Sequence, residues 1–231
     1  MQIHGFQKTT LLDFPGKVAA TIFTGGCNFR CPFCHNGDLV LAPADVPMIG
    51  EEEVLMQLKK RRGILDGICI TGGEPTLQSD LPDFIRRVRE LGLSVKLDTN
   101  GYQPEVLEAL VREGLLDYVA MDIKQGPEKY NFISQMRGFD IEKIKDSVSF
   151  LMEGTVPFEF RTTVVKELHE KEDFAAIGAW LKGAPAYFLQ PYRDSEQVIL
   201  PGFSSYPYAE LVEIRDILLP WIPNTVIRGM V

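Results

Sequence analysis

Three cysteines stand close together in the run Gly25-Gly26-Cys27-Asn28-Phe29-Arg30-Cys31-Pro32-Phe33-Cys34-His35-Asn36, with the spacing Cys-x3-Cys-x2-Cys. Three thiolates in one loop can hold metal, and three is the informative number. A closed structural zinc site takes four ligands. An iron–sulfur cluster normally takes one thiolate per iron. Three protein ligands on a four-iron cluster leave one iron open to a substrate, which is a reactive arrangement. The plainer alternative is a zinc site completed by His35 or a distant ligand, but zinc ligands usually come as two separated Cys-x-x-Cys halves and no second half follows. The fourth cysteine, Cys69, stands alone in Gly67-Ile68-Cys69-Ile70 and reads as a small hydrophobe of a buried strand.

Other groups able to do chemistry fall at the ends of apolar runs. Thr71-Gly72-Gly73-Glu74-Pro75 is a tight turn that can offer carbonyls and a carboxylate to a ligand amine. Asp98-Thr99-Asn100-Gly101 follows the next run. Met121-Asp122-Ile123-Lys124 closes another, and alternation puts Asp122 and Lys124 on one side of it. An inward-facing pair of that kind needs partners or a ligand. Arg161 is a candidate buried ion-pair partner or an anchor for a ligand carboxylate. Gln190-Pro191-Tyr192-Arg193 carries a weaker signal. Singly these are ordinary turns; together they put polar groups on one rim, strand after strand.

The elements that must position these residues are legible as short apolar runs alternating with helical patterns. Strands are expected over 18–24, 67–71, 94–99, 118–123, 158–165 and 187–190, with a short last one at 226–227. Helices are expected over 51–62, 80–91 with Asp80 as cap, from Pro104 to Gly114, and over 141–152, 171–181 and 208–218. The stretch 36–48 is the longest irregular piece and is expected to form a mobile flap near the cysteines. Repeated strand–helix alternation implies parallel strands joined by right-handed crossovers. About six units are short of a closed eight-unit barrel, and an open doubly wound sheet is the runner-up; both put ligands at the C-terminal strand ends.

The chain has 231 residues, 45% hydrophobic and 24% charged, which suits one α/β domain over 1–231. A net charge of −8 is a poor match for nucleic acid or an anionic membrane. The basic run Lys59-Lys60-Arg61-Arg62 complements a helix C-terminus whose start carries Glu51-Glu52-Glu53. No segment has the length of a membrane span and none reads as a signal peptide, so a cytoplasmic protein is expected, with cysteines serving metal or catalysis rather than disulfides.

The cysteine run with an aromatic before its last Cys, together with the Gly-Gly-Glu turn, resembles the radical S-adenosylmethionine (SAM) superfamily. With Leu11-Leu12-Asp13-Phe14-Pro15-Gly16-Lys17, Asp98-Thr99-Asn100-Gly101 and Met121-Asp122-Ile123-Lys124 added, the chain is similar to the activating enzymes of glycyl radical enzymes, above all those that serve anaerobic ribonucleotide reductase. The resemblance implies a partial (β/α)6 barrel. It implies one four-iron, four-sulfur cluster on Cys27, Cys31 and Cys34, with SAM chelating the open iron. Phe33 and His35 would lie by the adenine, and Gly72, Gly73 and Glu74 would meet the methionine amine. Thr99, Asn100, Asp122, Lys124 and Arg161 would line the cofactor, and Asp98 with Asp122 would hold a monovalent cation.

The implied chemistry is one-electron cleavage of SAM to methionine and a 5′-deoxyadenosyl radical, which takes hydrogen from a glycine of a large partner enzyme. No side chain then need act as acid or base. A flavodoxin or ferredoxin would supply the electron. Absence of further cysteine sets argues against a second cluster, and Tyr192-Arg193 stands where some relatives carry a His. Two other readings remain open: a radical SAM enzyme acting on a small molecule such as a deazapurine precursor, and a zinc- or cluster-stabilised binding module.

Overall fold

The computed structural model describes residues 1–229; residues 230 and 231, the end of the span expected as one domain, lie outside the described residues. One eight-stranded sheet organises the chain, with strands in sequential order. They are β1 (Ile3–Thr10), β2 (Ala19–Thr24), β3 (Gly67–Gly72), β4 (Ser94–Thr99), β5 (Tyr118–Asp122), β6 (Phe158–Val164), β7 (Tyr187–Pro191) and β8 (Thr225–Ile227). β1 runs antiparallel to β2, and every later pair is parallel. Sequential order with right-handed crossovers keeps the connecting helices on one face. A doubly wound sheet must reverse its order, so that runner-up is set aside in favour of the partial barrel.

The helices are α1 (Gly37–Leu41), α2 (Glu51–Lys60), α3 (Leu81–Glu90), α4 (Pro104–Arg112), α5 (Tyr130–Ser134), α6 (Ile141–Met152), α7 (Lys171–Trp180) and α8 (Tyr208–Leu218). Their apolar stripes pack on the sheet's outer face: Val54 and Leu58 from α2, Phe84, Ile85 and Val88 from α3, Leu107 and Leu110 from α4 are all buried. Against them stand the outward residues of the strands, including Ile68, Ile70, Val95 and Leu97, all fully buried. Asp80 does not cap α3 with its side chain; its carboxylate instead meets the amine of Met1. Among the described residues, no helix is long and apolar enough to cross a membrane.

Two expectations are corrected. The first strand of the sheet is β1, which the sequence reading did not anticipate, so the cysteines follow the second strand. The stretch 36–48 is not an irregular flap either. It holds α1 and a short 3-10 turn at Pro43–Asp45. It is tied at several points: Gly26 N–H to Leu39 O at 2.8 Å, Gly37 N–H to Gln197 O at 3.1 Å, and Asn36 Nδ2 to Gly72 O at 2.8 Å.

Candidate active site

The parallel strands β2 to β6 all end at the same edge of the sheet, and the loops leaving them meet there. Every residue expected at the site lines one cavity at that edge: Cys27, Cys31, Phe33, Cys34 and His35 from the loop after β2, Gly72, Gly73 and Glu74 after β3, Asp98, Thr99 and Asn100 at β4, Asp122 and Lys124 at β5, and Arg161 in β6. The cavity measures about 190 Å³.

The cysteine loop is held from below by the loop after β3. Gly73 N–H donates to Thr24 O and Glu74 N–H to Gly26 O, both at 2.8 Å, while Gln78 Nε2 donates to Gly25 O at 2.9 Å. The two glycines earn their place by close approach. Gly72 has φ +120, and a Cβ there would lie 2.2 Å from Thr24 N; a Cβ on Gly73 would lie 2.0 Å from Gly26 O. Both obstacles are backbone, which cannot swing aside. Gly73→Ala is therefore expected to lower stability by about 2–3 kcal/mol, read as a lower urea midpoint. It should also displace the loop that carries Cys27, read as reduced iron content after reconstitution; wild-type values for both would refute the packing role.

Glu74, expected to meet a ligand amine, borders the cavity and is also held by the protein itself. It is buried, and four protein donors already reach it: Thr76 N–H at 3.1 Å, Thr76 Oγ1 at 2.6 Å and Thr99 Oγ1 at 2.8 Å on Oε1, and Asn100 N–H at 2.7 Å on Oε2. Burial pushes its carboxyl above the ordinary range, against the pull of those donors. Its visible work is to clamp the ends of β3 and β4 together.

Behind the cavity lies a chain of alternating charges. Lys96 Nζ bonds Asp98; Arg161 Nη2 meets the other oxygen of Asp98 at 2.9 Å; Arg161 Nε meets Asp122 Oδ1 at 2.5 Å; Lys124 Nζ meets Asp122 Oδ2 at 3.0 Å. Arg161 is directly opposite Asp122 in the β5–β6 ladder, and the period of two brings Lys96 with Asp98, and Asp122 with Lys124, onto the inner face. Burial alone would raise both aspartates, but Arg161, helped by Lys96 at Asp98 and by Lys124 at Asp122, holds each below the ordinary carboxylate range. Lys124 is held above its ordinary value by Asp122 in spite of burial. A monovalent cation was expected between Asp98 and Asp122, and at that place the guanidinium of Arg161 joins both carboxylates. A planar fork with five donors bridges two carboxylates that a bare ion would otherwise have to balance.

Each thiol stands in low-dielectric surroundings. Burial pushes Cys27 up to about 12 and Cys31 up to about 11, and raises Cys34 as well. Thiolates here need a cationic partner. Among the described residues, no three His, Cys, Asp or Glu side chains form a set that could hold a single metal ion. The other candidate zinc ligands are engaged elsewhere. His35 stacks on Tyr192 with ring centroids 5.4 Å apart and bonds the carbonyl of Arg193 through Nε2. Cys69 is fully buried in β3, with Lys96 Nζ 3.8 Å from its sulfur.

A multinuclear cluster fits the donor set better. Phe29 N–H donates to Cys27 Sγ at 3.4 Å, and Asn100 Nδ2 lies 3.8 Å from the same sulfur. Among the described residues, the amide nitrogen of neighbouring Asn28 is buried without a partner. Asn28 was not anticipated, although it does not itself line the cavity; nor were Asn36 and Thr163, which do. Asn28 and Asn36 flank the cysteine run, so proximity in sequence could have flagged them. Thr163 follows Arg161 by two residues on the same face and was legible by alternation. Tyr192 and Arg193 do not line this cavity; they act on it through His35.

Comparison with known proteins agrees with this geometry. The family model of the radical SAM superfamily matches residues 21–177. A Methanocaldococcus jannaschii protein named as a glycyl-radical enzyme activating enzyme is 34% identical over 98% of this chain and 95% of its own length. The pyruvate formate-lyase-activating enzyme of Clostridium pasteurianum is 32% identical over 60% of each chain. A Thermococcus kodakarensis protein named as a GTP 3′,8-cyclase is 31% identical over 64% of this chain and 48% of its own. Among solved structures, Streptococcus suis SuiB bound to S-adenosylmethionine shares the fold, with TM-score 0.68 over 88% of this chain and 48% of that one at 16% identity. The family match covers more than half of the chain and the first relative nearly all of it: the chain belongs to the radical SAM superfamily and is an enzyme of that kind.

Proposed function

We propose that this chain activates a glycyl radical enzyme. Cys27, Cys31 and Cys34 hold one four-iron, four-sulfur cluster, and SAM occupies the cavity between the cluster loop and the ends of β3 to β6. When bound and reduced, the cluster supplies the electron that cleaves SAM to methionine and a 5′-deoxyadenosyl radical. The protein's own work is to orient and to exclude water. Phe33 and His35 flank the adenine. The β3 loop, set by Gly72, Gly73 and Glu74, forms the wall beside the methionine moiety. Thr99, Asn100 and Lys124 offer polar groups, and Lys124, backed by Asp122 and Arg161, faces the cofactor carboxylate as the cation at the end of the charge chain. The substrate is a glycine of a large partner, for which anaerobic ribonucleotide reductase is the first choice. A flavodoxin or ferredoxin supplies electrons, and four free cysteines suit the reducing cytoplasm.

The observation that carries this reading is the convergence of three thiols with the polar ends of β3 to β6 on one cavity. The whole-length relative named for activation of glycyl radical enzymes supports the choice of substrate. The experiment mixes reduced holoprotein and SAM with a candidate partner. A glycine-centred doublet in the electron paramagnetic resonance spectrum is expected only when all three are present. Turnover of a small molecule with no doublet from any partner would overturn it. That second reading draws on the likeness to a GTP 3′,8-cyclase, which reaches only 48% of that relative's length.

A further inference from the structure

Asn28 carries a polar group that the fold leaves unused. Its Nδ2 is buried and, among the described residues, has no hydrogen-bond partner. Such a group costs about 1–3 kcal/mol unless something satisfies it, so it calls for an explanation.

The orientation of this amide follows from its neighbours. Tyr102 N–H donates to Asn100 Oδ1 at 2.9 Å. A backbone N–H can only donate, so the atom it meets is the oxygen of Asn100. The Asn100 nitrogen then faces Asn28, and it lies 2.8 Å from Asn28 Oδ1. Exchanging the two atoms of the Asn28 amide would set two donors against each other. The NH2 of Asn28 is therefore the end without an acceptor.

The same side chain neighbours a candidate cluster ligand through its oxygen. Asn28 Oδ1 is 3.8 Å from Cys27 Sγ. The nitrogen, on the same amide carbon, is then within roughly 6 Å of that sulfur by ordinary bond lengths. Phe29 N–H and Asn100 Nδ2 approach Cys27 Sγ as well. Among the three thiols, Cys27 is the one gathered into amide donors from both the cysteine loop and the end of β4.

We propose that Asn28 and Asn100 form a donor set for the cluster. Asn28 Nδ2 donates to a sulfur at the Cys27 corner, and Asn100 holds it in that orientation. The pair raises the cluster's reduction potential, because reduction adds negative charge to the sulfurs and N–H donors stabilise it. This inference rests on the cluster proposed above.

The test uses anaerobically reconstituted holoenzyme. Asn28→Leu keeps the volume and removes the donor. Asn28→Asp keeps the oxygen that Asn100 reaches and removes the NH2. Iron and sulfide are measured first, then the midpoint potential by redox titration. The equilibrium constant for reduction should fall about tenfold in Asn28→Leu, which is 59 mV for one electron, and further in Asn28→Asp, whose carboxylate adds charge. Fully loaded variants with the wild-type potential would overturn the proposal. A residue that merely orders the loop would change loading and leave the potential alone.

Should either variant fail to load, wild-type protein with 15N in its asparagine side chains decides the matter. Pulsed resonance on the reduced cluster should detect two distinct amide 15N couplings, one from Asn28 and one from Asn100, and a single coupling or none is the overturning result. A wild-type protein that binds no iron would instead defeat the cluster reading itself.

Discussion

Cys31→Ala protein, reconstituted anaerobically with iron and sulfide, is expected to hold no cluster and to cleave SAM at the background rate. Cys31 is the most deeply placed of the three thiols, 6% exposed, on the wall of the cavity. With it gone, two thiols remain for four irons, and among the described residues the other candidate ligands are engaged elsewhere. His35 is spent on the Arg193 carbonyl, and Cys69 is sealed in β3. Cys69→Ala should accordingly load iron and sulfide like the wild type and keep its cleavage rate. The two variants make a matched pair read by metal analysis and by 5′-deoxyadenosine formation. Loss of iron in the Cys69 variant, or retention in the Cys31 variant, would mean that the ligand set is wrongly assigned.

Arg161→Met is expected to cost about 3 kcal/mol at neutral pH, the scale found when one partner of a buried ionic network is removed. Arg161, Asp98 and Asp122 are 13%, 11% and 28% exposed, so water screens them only partly. The pH dependence gives a sharper check. In the wild type both aspartates are held below their ordinary range, so the stability they contribute is complete above the unfolded carboxylate value, near 4. It is lost as pH falls through the depressed folded values. In Arg161→Met each carboxyl loses its strongest lowering partner and titrates higher than in the wild type, so the variant is penalised most at neutral pH and relieved in acid. The gap between the two proteins should thus be widest near pH 7 and shrink below about pH 4. Chemical unfolding of apo protein across that range measures it. A gap that is constant with pH would mean that Arg161 acts by packing alone.

Much of the architecture was readable in one dimension because buried parallel strands are apolar along their whole length. The strand expected over 94–99 forms as Ser94–Thr99, and the helices over 141–152 and 208–218 form with those limits. β1 escaped because it is an edge strand. It has one neighbour, and Gln7, Lys8 and Thr9 are exposed, so no apolar run marks it. α1 and α5 escaped because five residues are too few to display a helical period. The rim of the site was readable for a topological reason: in a sheet of parallel strands, whatever follows a strand arrives at the same edge.

What the linear order of residues determined here is the kind of chemistry and the edge where it happens. Thiol spacing within one loop and polar groups after successive apolar runs are local properties, and local properties survive being written in a line. Only the tertiary structure decided who holds whom. Arg161 reaches Asp98 and Asp122 from other strands, Gly73 presses on Gly26, and Asn100 orients Asn28 across 72 residues of chain. Those partners are set by strand register and by crossovers that bring distant segments within a hydrogen bond of each other, and no spacing along the chain records them.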